Sequence, residues 1–272
     1  MWRPEKALPL GQAVILGLVQ GPAELLPISS SAHTALIPRL AGWGYAEPDG
    51  DLRKSFEVAL HTGGACALAL AGRRELLGQL GSLDRRRASV LALALAPPAI
   101  AGYTLREAIE SRLGGPRSIA AGLVAGAAAM AFADARPGGG SRRCEDAGPR
   151  DGLALGLAQA IALIPGVSRN GATLTAARAR GFGRSGAHAL SWGVALPVIL
   201  GAGALEGRRL RGRAARRHLP AFAAGSTAAF LSTLASAGLL RGRGCDQRPL
   251  LPYSLYRCLL AALALRSLRR AQ

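Results

Sequence analysis

The chain has 272 residues, of which 50% are hydrophobic and only 4% aromatic, and its formal net charge is +18 because 34 Lys and Arg outnumber 16 Asp and Glu. This composition excludes a disordered chain, a collagen and a disulfide scaffold. Such a positive charge is typical of a nucleic-acid-binding protein. Here, however, the charges are confined to short stretches between long apolar runs. That distribution indicates an all-α polytopic membrane protein.

The first predicted element is an interrupted apolar run at residues 10–26. The chain after Lys6 resembles a signal peptide, but it lacks a convincing small-residue cleavage site, so we expect it to remain in the mature protein. A polar break at residues 27–33 separates this run from a second apolar arm at residues 34–42. Because neither arm is suited to spanning a bilayer alone, the pattern predicts a re-entrant helical hairpin.

Longer apolar runs follow, interrupted mainly by small residues that let helices approach closely in lipid. A second polar break, at residues 165–173, divides them into two groups of three. Most approach the roughly 17 to 25 residues that a spanning helix needs, so the sequence predicts six transmembrane helices and a second re-entrant hairpin. The runs are residues 58–72, 89–105, 118–133, 187–205, 219–240 and 250–265.

An internal duplication relates the two halves. The sequence GLVQ at residues 17–20 recurs as GLAQ at residues 156–159, and the same offset places Ser29 on Ser168. An odd number of crossings per half would invert the second half, so the two breaks would meet near the middle of the bilayer. We therefore predict one integral membrane domain, with repeat halves at residues 1–135 and 151–272 and a flexible linker at residues 136–150. Lys and Arg are too evenly divided between the two sides for the positive-inside rule to set the orientation.

The first hairpin carries an intramembrane carboxylate. Gln20 and Glu24 are four residues apart, which places them on one helical face. An ionisable group within the membrane is a functional candidate by default, although an interfacial or helix-capping glutamate is the alternative.

A serine triplet and a histidine follow Glu24. Ser29, Ser30 and Ser31 precede His33, and the start of a helix also offers free backbone N–H groups to an anion. Helix capping alone is the alternative role for the serines. Glu57 and His61 are secondary candidates at the start of the next apolar run, where an interfacial polar cluster is equally compatible.

The second break contributes an arginine, Arg169, whose planar fork suits phosphate oxygens. An internal ion pair with Glu24 or Glu57 is the alternative. Polar and small neighbours that favour contact with an oxyanion flank this arginine: Ser168, Asn170 and Gly171.

Together the two breaks supply a hydroxyl, an imidazole, a carboxylate and a guanidinium, a set that fits phosphoryl transfer. A divalent cation, Mg²⁺ or Ca²⁺, could join Glu24 and Gln20 to the phosphates. The rival class is a lipid-phosphate transporter, because inverted repeats with re-entrant hairpins are typical of transporters. No basic patch interleaved with aromatic residues is present, so we expect no nucleic-acid partner. The basic loop at residues 208–217 is instead expected to touch anionic membrane lipids.

These motifs resemble the bacterial undecaprenyl-diphosphatase family, whose members are associated with bacitracin resistance. The resemblance runs nearly end to end and is carried by PISSSAH at residues 27–33, SFEVALH at residues 55–61 and PGVSRNGAT at residues 165–173. It implies a multi-pass enzyme of the bacterial plasma membrane that hydrolyses undecaprenyl diphosphate to the monophosphate and regenerates the lipid carrier for the cell wall. It also suggests a site that opens to the periplasm, and a homodimer is left open.

The resemblance also implies roles for individual residues. Glu24 and Gln20 match the family's acidic motif, Arg169 matches its arginine motif, and Ser29, Ser30 and His33 match its Ser-Ser-x-Gly-His element. The chain departs from the family at Ala32, where Gly is usual, and at Asn170, where Ser is usual. The mechanistic hypothesis is an attack by Ser30 or Ser29 on the terminal phosphorus with His33 as base, while Glu24 holds the cation and Arg169 stabilises charge. Direct attack by His33 is the variant left open.

Overall fold

The computed structural model describes residues 8–43, 50–81, 83–135, 140–207, 213–241 and 247–270. The regular structure of these residues is α-helical, apart from a 3₁₀ turn at Cys144–Asp146 and an isolated bridge between Arg142 and Phe182. The helices are α1 Leu10–Leu25, α2 Ser30–Leu40, α3 Gly50–Ala71, α4 Arg73–Gly81, α5 Arg85–Thr104, α6 Arg106–Leu113, α7 Pro116–Asp134, α8 Pro149–Ile161, α9 Arg169–Ala179, α10 Arg184–Gly207, α11 Arg213–Arg241 and α12 Leu251–Arg270.

Two helical segments of the described chain are long and apolar enough to cross a membrane, α7 and the stretch His218–Leu240 of α11. A third is added if Arg85–Thr104 and Glu107–Leu113, which meet at 68°, form one broken span. The class predicted from the sequence, an all-α membrane protein, is therefore confirmed. The other predicted runs, residues 58–72, 187–205 and 250–265, fall largely within α3, α10 and α12.

Two helix pairs correspond to the predicted hairpins. Helices α1 and α2 pack together across residues 26–29, and α8 and α9 pack together across residues 162–168. The non-helical segments end earlier than the predicted breaks, because α2 already begins at Ser30 and α9 at Arg169. The second start is stabilised by the Ser168 hydroxyl, which accepts the Gly171 N–H at 3.1 Å in an N-cap.

The remaining helices surround these pairs. Helix α11 packs on α1 and α3, α5 packs on α8, α7 packs on α12, and α3 packs on α10. The apolar core is divided into clusters along these contacts, one of which joins Phe56 and Leu60 of α3 to Phe222 of α11. The first helix of each hairpin therefore packs against a longer helix, α1 on α11 and α8 on α5.

The described part of the predicted linker is held in place. Arg142 donates to both carboxylate oxygens of Asp151, at 3.1 and 2.6 Å, and its guanidinium lies 4.1 Å from the centre of the Phe182 ring. The buried Asp151 carboxylate thus holds the segment that follows Gly140. Residues 1–7 and 136–139 and the side chains of the basic loop at residues 208–217 lie outside the described residues.

Candidate active site

A cavity of about 210 Å³ lies where the two hairpins meet. The first hairpin lines it with Glu24 and the serine triplet, and α3 adds His61. The second hairpin contributes Ser168, Arg169 and Asn170. Residues about 140 positions apart in sequence, as Glu24 and Arg169 are, thus share one polar pocket.

Glu24 is the centre of the polar contacts in this cavity. One carboxylate oxygen, Oε1, accepts from Nη2 of Arg169 at 2.7 Å. The other, Oε2, accepts from the Ser30 hydroxyl at 2.7 Å and from Nε2 of Gln20 at 3.3 Å. The internal ion pair considered from the sequence is therefore formed, and it joins the two hairpins.

The secondary candidates occupy different positions. Nδ1 of His61 lies 3.3 Å from Oε2 of Glu24 and 3.0 Å from Nε2 of Gln20, so this histidine belongs to the cavity cluster. Glu57 instead faces Arg53 on its own helix, with their charged atoms 3.9 Å apart.

His33 contacts the turn at Ser29 and is not among the described residues that line the cavity. Its Nδ1–H donates to the Ser29 carbonyl at 2.7 Å, so Nε2 accepts from the Tyr256 hydroxyl, also at 2.7 Å. The two rings stack with centroids 5.6 Å apart and planes 5° apart. Tyr256 was not predicted from the sequence. The next residue, Arg257, is a charged side chain inside an apolar run, and it was a sign that this part of α12 has polar contacts.

Ser29 adopts a backbone conformation that serine rarely takes. Its φ is +76°, in the left-handed region, and its hydroxyl lies 3.3 Å from that of Ser31. A non-glycine residue held there costs about 1 kcal/mol or more, and such strain tends to cluster at functional sites. This turn places the Ser29 carbonyl within hydrogen-bond distance of His33.

Two other predicted residues have structural partners. Asn170 donates from Nδ2 to the Leu25 carbonyl at 2.7 Å, while its Oδ1 accepts from the Ser191 hydroxyl at 2.9 Å. Gly171 donates its N–H to Ser168 in the N-cap. Ala32, where the family usually has Gly, is fully buried among residues of α7 and α12.

The cavity is suited to an anion. Helices α2 and α9 both begin at its wall, and the first N–H groups of a helix and its dipole attract negative charge. Nη1 of Arg169 is buried without a hydrogen-bond partner, and so is Oε1 of Gln20. Buried polar atoms normally have partners, so Nη1 of Arg169, which lines the cavity, is a donor that an anionic ligand would satisfy.

Comparisons with known proteins identify the family of this chain. Residues 13–263 match the family model described as Bacitracin resistance protein BacA. A relative named undecaprenyl-diphosphatase from Geobacter sulfurreducens is 38% identical over 256 residues, which cover 90% of this chain and 91% of the relative. One of the same name from Moorella thermoacetica is 38% identical over 262 residues, covering 93% and 95%, and one from Pelotomaculum thermopropionicum is 41% identical over 201 residues, covering 71% and 73%. The chain belongs to the BacA family of bacitracin resistance proteins.

Proposed function

We propose that this protein is an undecaprenyl-diphosphatase of the bacterial plasma membrane. It hydrolyses undecaprenyl diphosphate to undecaprenyl phosphate and inorganic phosphate, and so recycles the lipid carrier for cell-wall synthesis. The names of its relatives and its membership of the BacA family support this reaction. The observation that carries the proposal is the cluster of Ser30, Glu24 and Arg169 at one cavity, built from both hairpins.

The diphosphate headgroup binds at the start of α2 and α9. Arg169 has one guanidinium nitrogen on Glu24 and a second, Nη1, without a partner, so it can bind a phosphate oxygen while keeping its ion pair. The serine hydroxyls and the first N–H groups of α2 supply further donors. Ser168 and Asn170 hold the second break in shape through their hydrogen bonds to Gly171, Leu25 and Ser191.

Ser30 is the nucleophile that the geometry favours. Its hydroxyl already donates to Glu24 at 2.7 Å, so the carboxylate accepts the proton as Oγ attacks the terminal phosphorus. The new Oγ–P bond forms while the bridging P–O bond breaks, and undecaprenyl phosphate leaves. Arg169 stabilises the charge on the transferring group, and water then releases inorganic phosphate from the serine.

His33 fixes the turn that presents the serines. The sequence hypothesis made it the base, but its Nδ1 is bonded to the Ser29 carbonyl and its Nε2 to the Tyr256 hydroxyl. The rival in which His33 attacks directly requires the imidazole to leave Tyr256. Trapping a labelled intermediate separates the two routes, because phosphoserine survives acid whereas phosphohistidine does not.

The proposal includes a hard divalent cation, Mg²⁺ or Ca²⁺, which Glu24 and Gln20 would hold through oxygen atoms. Glu24 supplies a carboxylate and Gln20 an amide oxygen without a partner. The described residues hold no group of three or more His, Cys, Asp and Glu, so phosphate oxygens would complete the coordination. When bound, such an ion would neutralise part of the negative charge of the diphosphate.

The finer architecture we propose is six transmembrane helices and two re-entrant hairpins in an inverted repeat, with halves at residues 1–135 and 151–272. The pattern of helix contacts supports it, because α1 packs on α11 as α8 packs on α5. The contact of α7 with α12 and the contact of α3 with α10 each join a helix of one half to the equivalent helix of the other half. A pseudo-two-fold relation between the halves would produce this pattern.

Phosphate release by the protein purified in detergent tests the function. With a polyprenyl diphosphate as substrate, we expect release that falls when a chelator is added. Arg169→Ala and His33→Ala are each expected to lower turnover by about 100-fold or more, whereas Arg150→Ala, at an exposed arginine, is the matched control. Near wild-type turnover of Arg169→Ala would contradict the assignment. Lipid binding or relocation without phosphate release would favour a transporter.

A further inference from the structure

Arg257 is a fully buried arginine that the proposed reaction does not use. It lies on α12 and has no exposed surface. Among the described residues its hydrogen-bond partners are backbone carbonyls rather than a carboxylate. A buried charge is costly unless its surroundings compensate it, so this position calls for an explanation.

The guanidinium of Arg257 reaches both polar breaks. Nη1 donates to the carbonyl of Pro27 in the first break at 3.5 Å, and Nη2 donates to the carbonyl of Gly166 in the second at 3.1 Å. Nη2 also lies 3.4 Å from the carbonyl of Gly122 on α7. One side chain thus contacts the two non-helical segments that connect the helices of the proposed site.

Glycines make room for this guanidinium. A Cβ at Gly171, two residues after Arg169, would lie 2.8 Å from Nη1, and a Cβ at Gly126 of α7 would collide with Nη2. Gly166 itself has a φ of +94°. The close fit of one large side chain against two glycines, one from α7 and one from α9, indicates a specific packing site for Arg257.

We propose that Arg257 is a positioning residue of the phosphatase site, tying the two breaks together and thereby setting the separation of Ser30 and Glu24 from Arg169. This inference rests on the proposed function. Arg257 is not among the described residues that line the cavity, so it acts through the breaks and not on the substrate. A planar fork can serve two carbonyls in different directions, whereas the single ammonium of a lysine cannot replace it at both.

The first test measures the spacing of the breaks without any activity. Ser31 and Val167 line the cavity from opposite breaks, so a Ser31→Cys, Val167→Cys pair is introduced after the four native cysteines are replaced. Bifunctional thiol reagents of graded length then crosslink the pair. We expect one short length to dominate, and Arg257→Lys to spread the reaction over longer reagents. Arg266→Lys, at an exposed arginine of the same helix, should leave the profile unchanged.

The second test separates turnover from binding. A small misplacement of the reacting groups strongly lowers the rate of the chemical step. Arg257→Lys should therefore lower kcat by about 10- to 100-fold while KM changes by less than about threefold. Arg257→Met, which keeps the bulk but removes every donor, should lose at least as much. If Arg257→Met does not fold, the kcat and KM of Arg257→Lys test the inference without it.

Three results would overturn the inference: wild-type kcat in Arg257→Lys, a loss confined to KM, or a fall in kcat with an unchanged crosslinking profile. Failure of the proposed function is a different outcome. In that case the wild-type protein releases no phosphate, yet the crosslinking profile still reports whether Arg257 holds the breaks together.

Discussion

At the residue scale, Glu24 shows how one side chain can organise a site. It contacts a guanidinium from the second hairpin, a hydroxyl from α2 and an imidazole from α3. An intramembrane carboxylate is stable only with such partners, because the membrane interior does not solvate it. The same contacts leave it correctly placed to accept the Ser30 proton.

Tyr256 provides a residue-scale prediction. Its hydroxyl is the described partner of Nε2 of His33, and its ring stacks on the imidazole. Tyr256→Phe keeps the ring and removes one hydrogen bond worth roughly 1 kcal/mol, so we expect turnover to fall by about 5- to 10-fold. Phosphate release measures this, with Tyr103→Phe at an exposed tyrosine as control. Equal rates for the two variants would show that the hydroxyl does not orient His33.

At the element scale, one glycine allows close packing of the first helix of each hairpin, α1 and α8. Gly17 of α1 packs against the Gly225 carbonyl of α11, and Gly156 of α8 packs against the Leu93 carbonyl of α5. These two glycines are related by the offset that aligns the two halves. Small residues allow such close backbone contact between helices in lipid.

Substitution of these glycines tests the packing of both helices. A Cβ at either position would collide with a backbone oxygen, so Gly17→Ala and Gly156→Ala should each destabilise the protein by about 1 to 3 kcal/mol. Gly11→Ala on the same helix as Gly17 meets open space and should be neutral or stabilising by up to about 1 kcal/mol. Unfolding midpoints in detergent measure all three. Similar midpoints for Gly17→Ala and Gly11→Ala would contradict the packing.

At the scale of the whole molecule, Asp134 joins four helices at one end of the bundle. Lying at the end of α7, it accepts from Arg178 of α9 at 3.1 Å and from Arg184 of α10 at 3.0 and 2.9 Å. It also accepts the Leu250 N–H, next to the start of α12, at 2.9 Å. The carboxylate therefore ties the second half to the last helix of the first.

Loss of the Asp134 charge should lower the stability of the whole protein. Asp134→Asn leaves the Arg178 side chain, only 4% exposed, without its carboxylate, and breaking a buried pair on one side costs about 3 kcal/mol or more. We expect a lower unfolding temperature in detergent, whereas Glu145→Gln, at an exposed acid of the linker, should leave it unchanged. An unaltered unfolding temperature for Asp134→Asn would show that the cluster contributes little.

The sequence by itself determined the helical membrane class, the two polar breaks and the residue types of the site, because hydropathy and local motifs are properties of short segments. It pointed to Glu24, Ser30 and Arg169 and predicted that the two breaks meet, but it did not specify which side chains contact one another. The tertiary structure decided these contacts, since the 2.7 Å ion pair of Arg169 with Glu24 between the hairpins depends on how distant segments pack. It also decided the environment of His33 and the seat of Arg257, which depend on α12, more than 200 residues away from the first break. No local pattern specifies such long-range contacts, because they form only when the helices have assembled.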